Sequence, residues 1–130
     1  MARLEVADSE SRALLSDLEV LMPCDVENQL LGPAGAAFVF GPQKGAKPED
    51  LQGLDENMRA TIDLYLRAVH PGRSEAEHQA AFTALATTPG TGAAGGLVAA
   101  MLACFAKARV VNGMDYVSRL IDLEALIADS

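Results

Sequence analysis

A chain with no tryptophan, two tyrosines and four phenylalanines has few bulky aromatics from which to build a core. Half of its 130 residues are hydrophobic all the same, which excludes disorder as a description of the whole. Alanine and glycine are plentiful instead, so backbones must approach closely and cores must be thin, as in many α/β enzymes. Cysteine is equally scarce. Cys24 and Cys104 have no metal-ligand spacing and form no disulfide framework, so each is expected to be a small buried residue in a reducing compartment. Positive charge is also short: ten Lys and Arg face eighteen Asp and Glu, for a formal net charge of −8. The longest basic grouping, Lys107-Ala108-Arg109, is too small to displace counterions from a phosphate backbone. Nucleic acid and anionic membranes are therefore discounted as partners, although a few convergent donors could still hold an anionic metabolite. The longest apolar run, Ala93 to Ala106, falls short of the roughly 20 residues that span a bilayer. No signal peptide is expected from Met1-Ala2-Arg3, which acidic residues soon follow. A soluble cytoplasmic protein of one domain, or a large part of one, is the expectation.

What is there falls into contrasting stretches. Residues 3–6 are compatible with a short strand, and Asp8 and Ser9 with the cap of a helix through Ala13-Leu14-Leu15. Leu18 to Met22 reads as a second strand ended by Pro23. The stretch from Cys24 to Ala46 is rich in glycine and proline, with a short helix expected over Ala36 to Phe40. A connection this long inside a compact domain is usually functional. From Pro48 the pattern changes. Leu51, Leu54, Met58, Ile62, Tyr65 and Val69 recur at helical spacing and predict a helix of roughly six turns, stopped at His70-Pro71-Gly72. Ser74 and Glu77 match a capping box opening a helix from 75 to about 87. Leu97 to Phe105 predicts an all-apolar helix buried on every side. A brief strand at Val110-Val111, a short helix through Met114 to Ile121 and a last helix from Asp122 to Ile127 complete the expectation.

Several residues are candidates for chemistry, each with a plainer alternative. Gly90, Gly92 and Gly95 match the G-x-G-x-x-G spacing, which can bring backbone N–H groups against phosphate oxygens. A dinucleotide fingerprint needs a strand immediately before it, however, and Phe82 to Thr88 reads as helix. Tight packing through small residues serves the same glycines. Asp25 follows a predicted strand, where ligands of open α/β sheets gather. A carboxylate there could hold Mg²⁺ or accept a hydroxyl proton during phosphoryl transfer, or could simply form a turn. Lys44, within Gly41-Pro42-Gln43-Lys44-Gly45, could be presented to an anion as a point charge or could be a solvated turn residue. Asn28 is divided between substrate bonding and a turn. His70 and His78 have no nucleophile partner and are read as structural.

Taken in order, these segments resemble the glycerate kinase family of bacterial type. Cys24-Asp25-Val26-Glu27-Asn28-Gln29-Leu30 is similar to that family's Cys-Asp-Val-x-Asn-Pro-Leu block, with Gln29 in place of a proline. Val39-Phe40-Gly41-Pro42-Gln43-Lys44-Gly45-Ala46 resembles its most recognisable stretch, and Gly92-Ala93-Ala94-Gly95-Gly96 its Gly-Ala-Ala-Gly-Gly segment. Residues 70–88 look longer than the family's usual connection and suggest an inserted helix. The family's upstream Gly-Gly-Ser-Ala-Thr-Asn-Asp-Gly-Gly block and its downstream Thr-Gly-Glu-Gly block do not occur here. The resemblance thus implies an internal fragment of a two-domain α/β kinase, mainly its smaller inserted domain, helix-rich with a few short strands. It implies ATP and Mg²⁺ as cofactors and glycerate as acceptor. Asp25 would serve catalysis or the metal, and Lys44 catalysis. Asn28, Gln43, Gly92, Gly95 and Gly96 would bind substrate. The isolated chain is expected to be inactive, and a homodimer through the exposed apolar face of a severed domain would be unsurprising. A non-catalytic binding module and an interaction scaffold are the alternatives.

Overall fold

The computed structural model describes residues 17–122 and Ile127. The elements expected over residues 3–6 and 13–15, and most of the helix expected after Asp122, lie outside the described residues. Strand β1 spans Glu19–Cys24, followed by helix α1 over Ala36–Phe40 and a 3-10 turn over Pro42–Lys44. Helices α2, Pro48–Val69, and α3, Glu75–Thr87, come next. After a second 3-10 turn over Ala93–Gly96, helix α4 covers Leu97–Cys104, β2 covers Lys107–Asn112 and α5 covers Gly113–Leu120. The architecture is helix-rich with one short parallel sheet, within the α/β class that the sequence suggests.

The strands pair from Glu19 opposite Lys107 to Cys24 opposite Asn112. Parallel strands need a long crossover, and the helices α1 to α4 supply it. Both strands therefore end side by side, where Asp25 and Gly113 follow. Two boundaries differ from expectation. Pro23 lies inside β1 rather than ending it; β1 has β2 as its one strand neighbour among the described residues, and proline is tolerated in a strand whose missing N–H faces away from the ladder. β2 extends well beyond Val110-Val111, since pairing with β1 recruits Lys107 to Arg109 despite their charge.

Helix α2 begins as the sequence predicts, with Pro48 first, two acids in its opening turn and the Lys47 N–H donating to Asp50 Oδ2 at 3.2 Å. Its inward stripe is rotated from the expected one. Ile62 and Leu66 are buried, Leu54 is 42% exposed and the neighbouring Asp55 is only 7% exposed. A polar partner rather than hydropathy decides this: Asp55 Oδ1 accepts the Gly32 N–H at 2.9 Å. Helix α3 carries the expected capping box, with Ser74 and Glu77 bonded reciprocally. Its His78 is 2% exposed and donates from Nε2 to Asp63 Oδ1 at 2.6 Å. Arg67 bridges Asp63 and Glu75, binding the two helices together on the outside.

Leu30, Leu31, Ile62, Leu66, Phe82, Ala99 and Ala103 form the core. Ala99 and Ala103 let α4 lie close against α2, so small residues do here what aromatics do elsewhere. Helix α4 is not buried on every side: Leu97 is 58% exposed and Cys104 is exposed. Its packing partners among the described residues are chiefly α2, α3 and β2, and the face turned away from them stays open. The expected burial of the cysteines fails with it for Cys104, and Cys24, at the end of β1, is only half-buried. No described helix is long and apolar enough to cross a membrane.

Candidate functional site

The carboxyl end of the sheet gathers one group of candidates. Asp25 leaves β1 and turns its carboxylate onto the start of α5, where Oδ1 accepts the N–H of Gly113 at 3.0 Å and of Met114 at 3.2 Å. Helix starts have unpaired N–H donors and favour negative charge, so this places a carboxylate firmly. Gly113 makes the approach possible, since a Cβ there would stand 2.7 Å from Asp25 Oδ2. Asn112 caps the same helix, accepting the Asp115 N–H at 2.9 Å. Oδ2 of Asp25 has no hydrogen-bond partner among the described residues and the residue is exposed, leaving it available to a ligand.

The glycine-rich segment backs onto this end of the sheet. Gly92 donates its N–H to the Asn28 carbonyl at 3.0 Å, and a Cβ on Gly92 would lie 2.2 Å from the Gln29 carbonyl oxygen. Glycine is required there by contact between two backbones. The Asn28 side chain is also engaged, Nδ2 donating to the Ala34 carbonyl at 3.3 Å, while its Oδ1 has no hydrogen-bond partner among the described residues. Further on, Ala94, Gly95 and Gly96 are all left-handed, with φ of 51°, 69° and 90°, before α4 starts. Gly96 is buried against Leu30 and Met58, whereas Ala94 and Gly95 face outward. The preceding regular element is α3, not a strand, so the dinucleotide-binding arrangement is not built.

Gln43 and Lys44 are exposed on the first 3-10 turn. Among the described residues the Lys44 ammonium is in no ion pair. It borders a cleft of 690 Å³ with Glu49, Asp50, Leu54 and Asn57. A second cleft, of 420 Å³, is lined by Leu54, Asn57, Thr61, Tyr65, Gly95 and Gly96 among others. The two clefts share Leu54 and Asn57, so the exposed face of α2 links Lys44 to the glycine segment. Asp25, Asn28 and Gly92 are thus joined by backbone contacts, and Lys44 and Gly95 by a common wall. No hydrogen bond or ion pair joins the two groups among the described residues.

Sequence reasoning passed over three residues. Gly113 had a local signal, an Asn-Gly pair just before a predicted helix. Asp55 had one as well: it stands at 51, 55, 58, 62 spacing, where an inward stripe calls for an apolar residue. Asn57 had none, because an exposed asparagine on a helix becomes notable only when two clefts are seen to share it.

Against known proteins, the model of the glycerate kinase family matches residues 1–130. The chain is 34% identical over its whole length to the glycerate kinase of Bacillus subtilis, of which it covers 30%. It is 35% identical over 88% of its length to the glycerate 2-kinase of Escherichia coli, covering 27% of that protein. A crystal structure from Salmonella typhimurium LT2, assigned as glycerate kinase 2, superposes with a TM-score of 0.70 at 34% identity. All of this chain and 31% of that one are covered. The chain therefore spans about 30% of the length of the curated relatives it matches.

Proposed function

Since this chain belongs to the glycerate kinase family, we propose that it is a segment of a two-domain kinase that transfers the γ-phosphoryl group of ATP to a hydroxyl of glycerate. The observation that carries the reading is Asp25, an exposed carboxylate at the carboxyl ends of two parallel strands, with one oxygen held by a helix start and the other without a hydrogen-bond partner among the described residues. In the transfer the β–γ bridging P–O bond of ATP breaks, a new P–O bond forms to the glycerate oxygen, and the hydroxyl proton departs. Asp25 Oδ2 is the acceptor for that proton. Lys44 neutralises anionic oxygens as a mobile point charge, and Gln43 offers an amide beside it. Asn28, through its Oδ1, orients the acceptor, while Gly92, Gly95 and Gly96 shape the wall on which it rests. Such a reaction depends mostly on position and charge stabilisation.

Mg²⁺ suits this donor set, because it is commonly held by one or two carboxylates together with substrate phosphates. Asp25 supplies one, and no group of three or more His, Cys, Asp or Glu among the described residues forms a closed protein cage. When bound, the ion would offset phosphate charge. The apolar residues that α5 leaves exposed, Met114 at 66% and Leu120 at 67%, support the expectation that this face is covered. The remainder of the parent protein would cover it, or a second copy in the isolated chain.

The test is glycerate-dependent ADP formation by the parent protein at full length, wild type against Asp25→Asn. Loss of about a hundredfold or more in kcat is expected, with the thermal midpoint little changed. The 130 residues assayed alone should show no turnover. Equal kcat in wild type and variant would remove Asp25 from the chemistry.

A further inference from the structure

We infer that Asp55, on α2 and outside the motifs singled out in the sequence, is a positioning residue for the acceptor side of the site. This rests on the function proposed above. Asp55 is an acid only 7% exposed, and burying a carboxylate is costly unless it is hydrogen-bonded. The bond it makes crosses from the helix to the loop after β1: Oδ1 accepts the Gly32 N–H at 2.9 Å. Gly32 has φ +82° and belongs to a tight turn in which the Gly35 N–H donates back to the Gly32 carbonyl at 2.7 Å.

That turn is closed on itself. Gln29 bridges to Gly35, and Asn28 Nδ2 reaches the Ala34 carbonyl. The Asn28 carbonyl then receives the Gly92 N–H at 3.0 Å. The contacts form an unbroken path: α2 holds Gly32, the Gly32 turn holds Asn28, and Asn28 holds the glycine segment. Leu30 and Leu31, buried between these points, anchor the loop by packing. Among the described residues Asp55 makes no hydrogen bond to Asn28 or to any atom assigned to the reaction. Its effect is to fix the height of the Asn28 loop above α2, and so the place at which acceptor and glycine wall meet.

The important property of Asp55 is an oxygen acceptor at the right reach, not its charge. Asp55→Asn keeps such an oxygen, Asp55→Ala removes it, and Asp55→Glu keeps the charge but moves the acceptor by one methylene. In the full-length parent, Asp55→Ala is expected to raise the KM for glycerate about tenfold, with kcat changed by less than about twofold. Asp55→Asn should restore wild-type KM, and Asp55→Glu should fall between. Amide hydrogen exchange supplies the readout that needs no activity: the Gly92 N–H should exchange about tenfold faster in Asp55→Ala than in Asp55→Asn. Should Asp55→Ala not fold, the pair Asp55→Glu and Asp55→Asn carries the same comparison. An Asn variant as impaired as the Ala or Glu variant overturns the inference, as does a Gly92 exchange rate that none of them alters. A wild-type parent without glycerate-dependent turnover would sink the proposed function instead, and the exchange measurement would still decide the role of Asp55.

Discussion

Two regions of this molecule are held together by opposite means. Around the carboxyl ends of β1 and β2, the contacts that matter run from backbone to backbone or from one side chain to backbone: Asp25 to Gly113, Gly92 to Asn28, Asp55 to Gly32. Between α2 and α3 they run from side chain to side chain, through His78, Asp63, Arg67 and Glu75. Flexible side chains on helix surfaces can shift to accommodate a substitution. Two backbones in contact cannot, because each is fixed by its own hydrogen bonds. The Asp25, Asn28 and Gly92 part of the candidate site lies in the first region, where atoms are placed with little play, as positioning for phosphoryl transfer demands.

The sharpest way to break the contrast is a single methyl group. Gly92→Ala would put Cβ 2.2 Å from the Gln29 carbonyl oxygen, and neither backbone can retreat. A loss of about 3 kcal/mol or more in urea unfolding is expected, or failure to fold. Gly95→Ala, three residues on, meets nothing within 4 Å and has only its φ of +69° to contend with. It should cost about 1 kcal/mol. Similar losses for both would mean that conformation, not contact between backbones, explains the glycines.

Acid should act on the other region. Burial works to raise the Asp63 carboxyl, but its hydrogen bonds to His78 and Arg67 outweigh that and hold it below the ordinary value of 3.8. The unfolded chain therefore takes up the Asp63 proton before the folded one does. This contribution is present above about pH 4 and is lost as pH falls through the folded-state value. A thermal midpoint followed from pH 6 downward should fall more steeply in wild type than in Asp63→Asn. The difference at neutral pH should be about 1 kcal/mol or less, because Asp63 is partly exposed. Identical slopes would show that the bridge is incidental to stability.

The smallest expected effect returns to the glycine segment. Ala94 is left-handed at φ 51°, a conformation that strains a Cβ. Ala94→Gly should leave stability unchanged or raise it by up to about 1 kcal/mol, read from the urea midpoint. A clear loss would mean that the Ala94 methyl makes a contact worth more than its strain.

Helices α2 and α3 are legible in the order of residues because their signals are local: Pro48 with two acids, a capping box, apolar spacing, and a stop at His70-Pro71. Asp25, Lys44 and the glycine segment can be singled out as well, since residue type and order carry the family resemblance. Less can be read where two distant stretches decide the outcome together. The extent of β2 depends on β1, the rotation of the α2 stripe on Gly32, and the open face of α4 on what packs around it.

The sequence alone thus determined helices α2 and α3 with their starts, the class of fold and the residues worth suspecting, because each depends on residue type and on neighbours within a few positions. Only the tertiary structure decided that Asp25 rests on Gly113, that Gly92 rests against Gln29, and that Asp55 reaches Gly32. Those contacts join residues far apart in the chain. Their physical basis is close approach and the need to satisfy buried polar groups, and neither leaves a periodic trace in the order of residues.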